Sequence, residues 1–96
     1  MFVVIMTFPS VKAGKDAEFR EWFAWSNKEY AKHKGFVKRM LLKARGGATY
    51  AAVMEHENFE TFKAMHDSPT QAESHQRMMK LLEGHPSATF YEVVET

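Results

Sequence analysis

Among the 96 residues of this chain, the side chain best suited to chemistry is the imidazole of His75. A neutral imidazole takes up a proton near neutral pH or ligates a metal through its free ring nitrogen. Ala72, His75, Met79 and Leu82 share one face of a helix, which predicts an imidazole turned inward toward a sheet. The competing reading is an interior histidine satisfied by a backbone carbonyl. Trp22, Phe23 and Trp25 would either wall a flat ligand or fill a core. Trp22 shares its helical face with Phe19 and Ser26, whereas Trp25 lies off that face, toward the edge of the domain. Thr7 follows Val3 and Ile5 on one side of a strand, where its hydroxyl would orient a ligand oxygen. Met54, Met65, Met78 and Met79 supply adaptable apolar surface, as core or as lining. The expected pocket residues beside His75 are therefore Thr7, Trp22, Ser26, Met65 and Met79.

Other clusters carry less. His66 and His75 flank a helix break and form no pair at i, i+4, so no metal site is expected from protein ligands alone. Glu55-His56-Glu57 reads as a solvated loop cluster. With no cysteine, disulfides, thiolate metal sites and a cysteine nucleophile are excluded. No phosphate loop, nucleophile elbow or nucleotide fingerprint is present. The net charge is +1, and the densest basic group, Lys38, Arg39, Lys43 and Arg45, reads as a solvated strand end. Nucleic-acid binding would need a broader basic stripe. The apolar start, Met1 to Met6, lacks a basic leader and a cleavage site and is too short to span a bilayer. The expectation is a cytoplasmic protein with neither nucleic acid nor membrane as a partner.

These side chains need elements to position them. Phe2 to Phe8 is a β-rich run stopped by Pro9. Lys15 to His33 carries Phe19, Trp22, Phe23, Ser26 and Tyr30 at helical spacing, and Gly35 suits its stop. Phe36 to Ala44 and Ala48 to Glu55 read as a hairpin around Arg45-Gly46-Gly47. A short helix from Phe59 to His66 has Asn58 as its N-cap. Ser68-Pro69-Thr70-Gln71 is a capping box that starts a further helix, expected to run to about Glu83 before Gly84. Ala88 to Val94 is the last strand. The order βαββαβ predicts a single domain over residues 1–96, of the α+β class, with a ferredoxin-like antiparallel sheet carrying helices on one face.

Such a sheet should be polar on the side its helices leave open. Here Val3, Ile5 and Thr7 alternate with Phe2, Val4, Met6 and Phe8, and neither set holds a charge. The third strand repeats the pattern. Exposing large apolar side chains forfeits about 1.5–3 kcal/mol each, and pairing two sheets face to face recovers it. A homodimer through the open sheet face is expected. Phe2, Val4, Met6 and Phe8 are assigned to the partner, and Val3, Ile5 and Thr7 to the helices and the pocket.

The layout resembles the antibiotic-biosynthesis-monooxygenase-like proteins of the dimeric α+β barrel superfamily. The resemblance rests on the strand Phe2–Phe8, Val11-Lys12-Ala13-Gly14-Lys15, the helix with Phe19, Trp22 and Phe23, and Gly35-Phe36. It extends through Tyr50-Ala51-Ala52-Val53-Met54-Glu55 to Phe59, Phe62, Ser68 and His75, nearly the whole chain. It implies a homodimer with a pocket between helices and sheet in each subunit. Some members oxidise phenolic or quinone-like aromatics with neither metal nor flavin. Others bind or degrade heme, with a helix histidine as axial ligand, a tryptophan one helix earlier and a first-strand asparagine. His75 stands at the histidine position, Met65 at the tryptophan's and Thr7 at the asparagine's, so one of the three is kept. The leading expectation is a cofactor-independent monooxygenase-like enzyme acting on an aromatic or quinone-like small molecule, with His75 as acid and base. The alternatives are a heme-binding protein with His75 as axial ligand, and a non-catalytic small-ligand-binding dimer.

Overall fold

The β-branched and aromatic run ahead of Pro9 forms β1 (Phe2–Thr7) in a computed structural model that describes residues 1–96. It is followed by α1 (Asp16–Tyr30), β2 (Phe36–Lys43), β3 (Tyr50–His56), α2 (Phe59–His66), α3 (Pro69–Met79) and β4 (Ser87–Glu92). Every expected element is present. Local chemistry sets several of the boundaries. The Asn58 side chain accepts the Thr61 N–H at 2.9 Å and so caps α2. Ser68 Oγ accepts the Gln71 N–H at 3.4 Å and donates to the Met65 carbonyl at 2.5 Å, so one hydroxyl starts α3 and ties it to α2.

Two helix ends differ from expectation, β3 starts at Tyr50 rather than Ala48, and β4 stops at Glu92 rather than Val94. The first helix stops at Tyr30, and Gly35, with φ of +85°, turns the chain into β2. The other helix, α3, ends at Met79 rather than near Glu83. Beyond it, Leu81 and Leu82 are buried, and Val11 pairs with Leu82. The Lys12 N–H donates to the Leu81 carbonyl at 2.8 Å and the Glu83 N–H to the Ser10 carbonyl at 2.9 Å. Bonds to the loop after β1 thus replace helical ones.

The strands form one antiparallel sheet in the order β2-β3-β1-β4, with the helices on one face: the ferredoxin-like arrangement. A bulge between Phe36 and Lys38 sets the register of β2, placing Arg39 opposite Met54 and Leu41 opposite Ala52. No helix is long and apolar enough to cross a membrane.

The assignment of the two sheet faces is reversed. Phe2, Val4 and Phe8 are buried against the helices, while Val3, Ile5 and Thr7 lie on the open face. Ring size decides this. Phe8 packs edge-on against Phe19, with centroids 5.2 Å apart, and Phe2 lies 5.0 Å from Phe62. The aromatic stripes of α1 and α2 therefore take the aromatic face of β1. What remains open is mostly aliphatic: Ile5 is 36% exposed, Met40 and Leu42 are 44% and Tyr91 is 49%.

The core divides into two clusters. One gathers Phe8, Phe19, Trp22, Phe23, Tyr50 and Ala52 with Met78, Leu81 and Leu82 of the α3 end. The other holds Phe2, Val4, Tyr30, Phe62 and Met65.

Candidate functional site

A cavity of about 210 Å³ opens where the two clusters meet. Its floor is the sheet, through Val4, Met6, Ala52 and Met54. Trp22 and Tyr30 of α1, Phe62 and Met65 of α2, and Ser74 and Met78 of α3 form the walls. Pro86, Ala88 and Phe90 border it on the β4 side, where Phe90 is 54% exposed. A dry cavity of roughly 150 Å³ accepts benzene, so this one has room for a substituted ring or a small fused pair.

The polar groups sit on the α1–β2 side. Arg39 comes from the inward register of β2. Its guanidinium carbon lies 4.0 Å from the ring centroid of Phe23, 5.0 Å from Tyr30 and 5.2 Å from Trp22. Nη1 donates to Ser26 Oγ at 2.7 Å and to Asn27 Oδ1 at 3.2 Å. Asn27 Nδ2 donates back to the Arg39 carbonyl at 3.2 Å, and Ser26 Oγ donates to the Phe23 carbonyl at 2.9 Å. No carboxylate pairs with this guanidinium, although six other cations of the chain have acidic partners. Burial lowers its pKa to about 10, an effect partly opposed by Tyr30, so it stays charged at neutral pH.

The Tyr30 hydroxyl lies 2.6 Å from Gln71 Oε1 and 2.8 Å from Ser74 Oγ. Having a single hydrogen, it donates to one of them at a time. Trp22 Nε1 donates to the Ser74 carbonyl at 2.9 Å, so α3 is fastened to α1 from both sides of Ser74. Burial raises the Tyr30 pKa against the opposing effects of Ser74 and Arg39, which keeps the phenol neutral.

Of the residues named from sequence, Trp22, Met65 and His75 line the cavity. Thr7, Ser26 and Met79 do not. The strand reversal carries Thr7 to the open face, where its hydroxyl lies 2.9 Å from Ser87 Oγ. Ser26 is fully buried behind Arg39 and acts on the cavity only through it. Met79 packs against the Phe8–Phe19 cluster. On α3 the inward side chains are Ser74 and Met78, while Ala72 and His75 are exposed. His75 therefore stands at the rim, one position round the helix from its expected place, because Trp22 and Tyr30 both bond to Ser74.

Arg39, Tyr30, Ser74 and Gln71 are the residues that sequence reasoning passed over. The signal for Arg39 was its place two residues before Leu41, on the apolar side of β2; it is not part of a solvated strand end. His56 also corrects its reading as a solvated loop residue. It ends β3 with no exposed surface, between Phe36 and Phe62, and its Nδ1 lies 3.1 Å from Thr61 Oγ1.

The site gives the heme alternative little support: of the three residues it calls for only His75 is kept, and that side chain stands at the rim.

The chain has the ferredoxin-like fold of the antibiotic biosynthesis monooxygenase proteins. It is similar to SnoaB from Streptomyces nogalater, a cofactor-independent oxygenase, with a TM-score of 0.84 at 20% identity, covering 99% of this chain and 95% of that one. A candidate antibiotic biosynthesis monooxygenase from Deinococcus radiodurans superimposes with a TM-score of 0.88 at 13% identity, covering 100% and 95%. Rv0793 from Mycobacterium tuberculosis gives 0.84 at 10% identity, covering 100% and 98%. No protein-family model and no curated protein matches the sequence. At these identities the likeness speaks to the fold.

Proposed function

We propose that this chain is a monooxygenase-like enzyme that oxidises a small aromatic or quinone-forming molecule without a resident cofactor. The observation that carries this reading is the aromatic-walled cavity between helices and sheet, with a charged guanidinium and a neutral phenol inside it. The fold shared with a cofactor-independent oxygenase supports it.

The chemistry then belongs to the substrate. A phenolic ring that loses its hydroxyl proton delocalises the electron pair onto a ring carbon. Donation of that pair to O₂ forms a carbon–oxygen bond. The resulting hydroperoxide loses water as the ring C–H proton leaves, and a quinone remains. One O₂ supplies one oxygen atom to the product and one to water. The protein's contribution is positioning and exclusion of bulk water. Trp22, Phe62 and Met65 hold the ring. His75, at the rim, takes the substrate proton and exchanges it with solvent.

The working form is a homodimer closed through the open sheet face, which would bury Ile5, Met40, Leu42 and Tyr91. Oxygen uptake with a panel of hydroxynaphthalenes and hydroquinones tests the enzymatic reading. We expect uptake that falls on the order of a hundredfold in His75→Ala. Ring binding without uptake across the panel would overturn it in favour of a ligand-binding dimer.

A further inference from the structure

We infer that Arg39 is the anchor for an anionic substrate: the cavity takes a one- or two-ring aromatic that carries an ionised oxygen group, a carboxylate or an acidic phenol, at the ring edge. This deepens the oxygenase reading and rests on the same cavity being the substrate site.

Hydrogen-bond accounting on the guanidinium supports it. Arginine has five N–H donors in a planar fork. Ser26 and Asn27 take the two on Nη1. The three on Nε and Nη2 have no acceptor in the protein. They are not sealed in either: the single enclosed side-chain nitrogen or oxygen without a partner is His56 Nε2. Arg39 lines the cavity, so its unused donors are available to a molecule within it. Nε–H and one Nη2–H form the edge of the fork that meets a carboxylate through two parallel bonds.

Charge points the same way. A desolvated cation is expensive unless an anion answers it. The aromatic faces of Phe23, Tyr30 and Trp22 answer it in part, and no acidic residue does. Asn27 and Ser26 fix the guanidinium from behind, so its orientation is set before any ligand arrives. A neutral ring would fill the same volume and offer the three donors no charged acceptor.

Size limits the class. About 210 Å³ admits a ring with substituents or a fused pair, with its anionic edge at Arg39.

The test is calorimetric titration of the full chain with 2-naphthoate and with 2-naphthamide, which has a similar shape and no charge. The wild-type protein is expected to bind the naphthoate about ten- to a hundredfold more tightly, as a charge-assisted pair requires. Arg39→Met should abolish that preference while retaining the amide. Arg39→Lys should keep part of it, because the charge survives and the fork does not. Equal binding of the two probes by wild-type protein overturns the inference, and needs no variant to fold. So does a preference that persists in Arg39→Met, or no binding of either probe at millimolar concentration. The titration involves no turnover, so it separates the two proposals. Naphthoate preference without O₂ uptake on the phenol panel sinks the oxygenase reading alone; uptake without the preference sinks this one alone.

Discussion

A guanidinium stacked among three rings, bonded to Ser26 and Asn27 and to no acid, is partly desolvated and has no counter-charge. Its neighbours are arranged with equal economy. Tyr30→Phe would remove the hydroxyl that joins Gln71 to Ser74, and urea denaturation should show a loss of about 1 kcal/mol. His56 sets a pH dependence. Burial and the nearby charge of His33 lower its pKa below 6.5, with Glu57 acting in the opposite direction. The unfolded chain therefore binds the proton more readily. Its contribution to stability is complete above about pH 6.5 and is lost as the pH falls toward the folded-state value. The melting temperature should drop between about pH 7.5 and about pH 5, and the drop should shrink in His56→Gln. At this scale the sequence was half legible. Trp22, Met65 and His75, which line the cavity, are readable as candidates because aromatic, thioether and imidazole groups advertise themselves by type. Arg39 and Ser74 were missed because an arginine on a strand and a serine on a helix usually meet water; only the bulge at Phe36 and the bonds from Trp22 and Tyr30 turn them inward.

At the scale of elements, the caps carry local information that needs no tertiary contact. Asn58 and Ser68 were readable as helix starts, and both side chains make the expected bonds. Replacing Ser68 by Ala should destabilise the chain by about 1 kcal/mol in thermal or urea unfolding. Gly35→Ala should be worse than an ordinary glycine substitution. Its backbone sits at φ of +85°, and an added Cβ would lie 2.4 Å from the Thr61 side chain. That substitution also presses Thr61 against His56 and Asn58, to which it is bonded. The end of α3 was not legible. Lys80, Leu81 and Leu82 suit a helix by propensity, and what stops it is a bond to a loop seventy residues away in the chain, at Val11 and Lys12.

For the whole molecule, periodicity of two showed that both faces of the sheet are apolar, and it could not say which one meets the helices. Neither β1 set holds a charge, so alternation was silent, and the choice fell to the fit of rings against rings. The open face carries Val3, Ile5, Met40, Leu42 and Tyr91, with Lys38 and Glu55 paired at 3.4 Å, and it is the face the proposed dimer would bury. Light scattering should find a dimer at micromolar concentration, and Ile5→Glu should give a monomer, because burying a carboxylate at an apolar interface is costly. Ring chemistry with O₂ in the cavity is checked by turnover of a hydroxynaphthalene under isotopically labelled O₂, with the quinone analysed by mass spectrometry. One labelled oxygen per quinone is expected, formed at a rate that collapses in His75→Ala. An unlabelled product, or a labelled one formed equally fast by that variant, would rule this chemistry out.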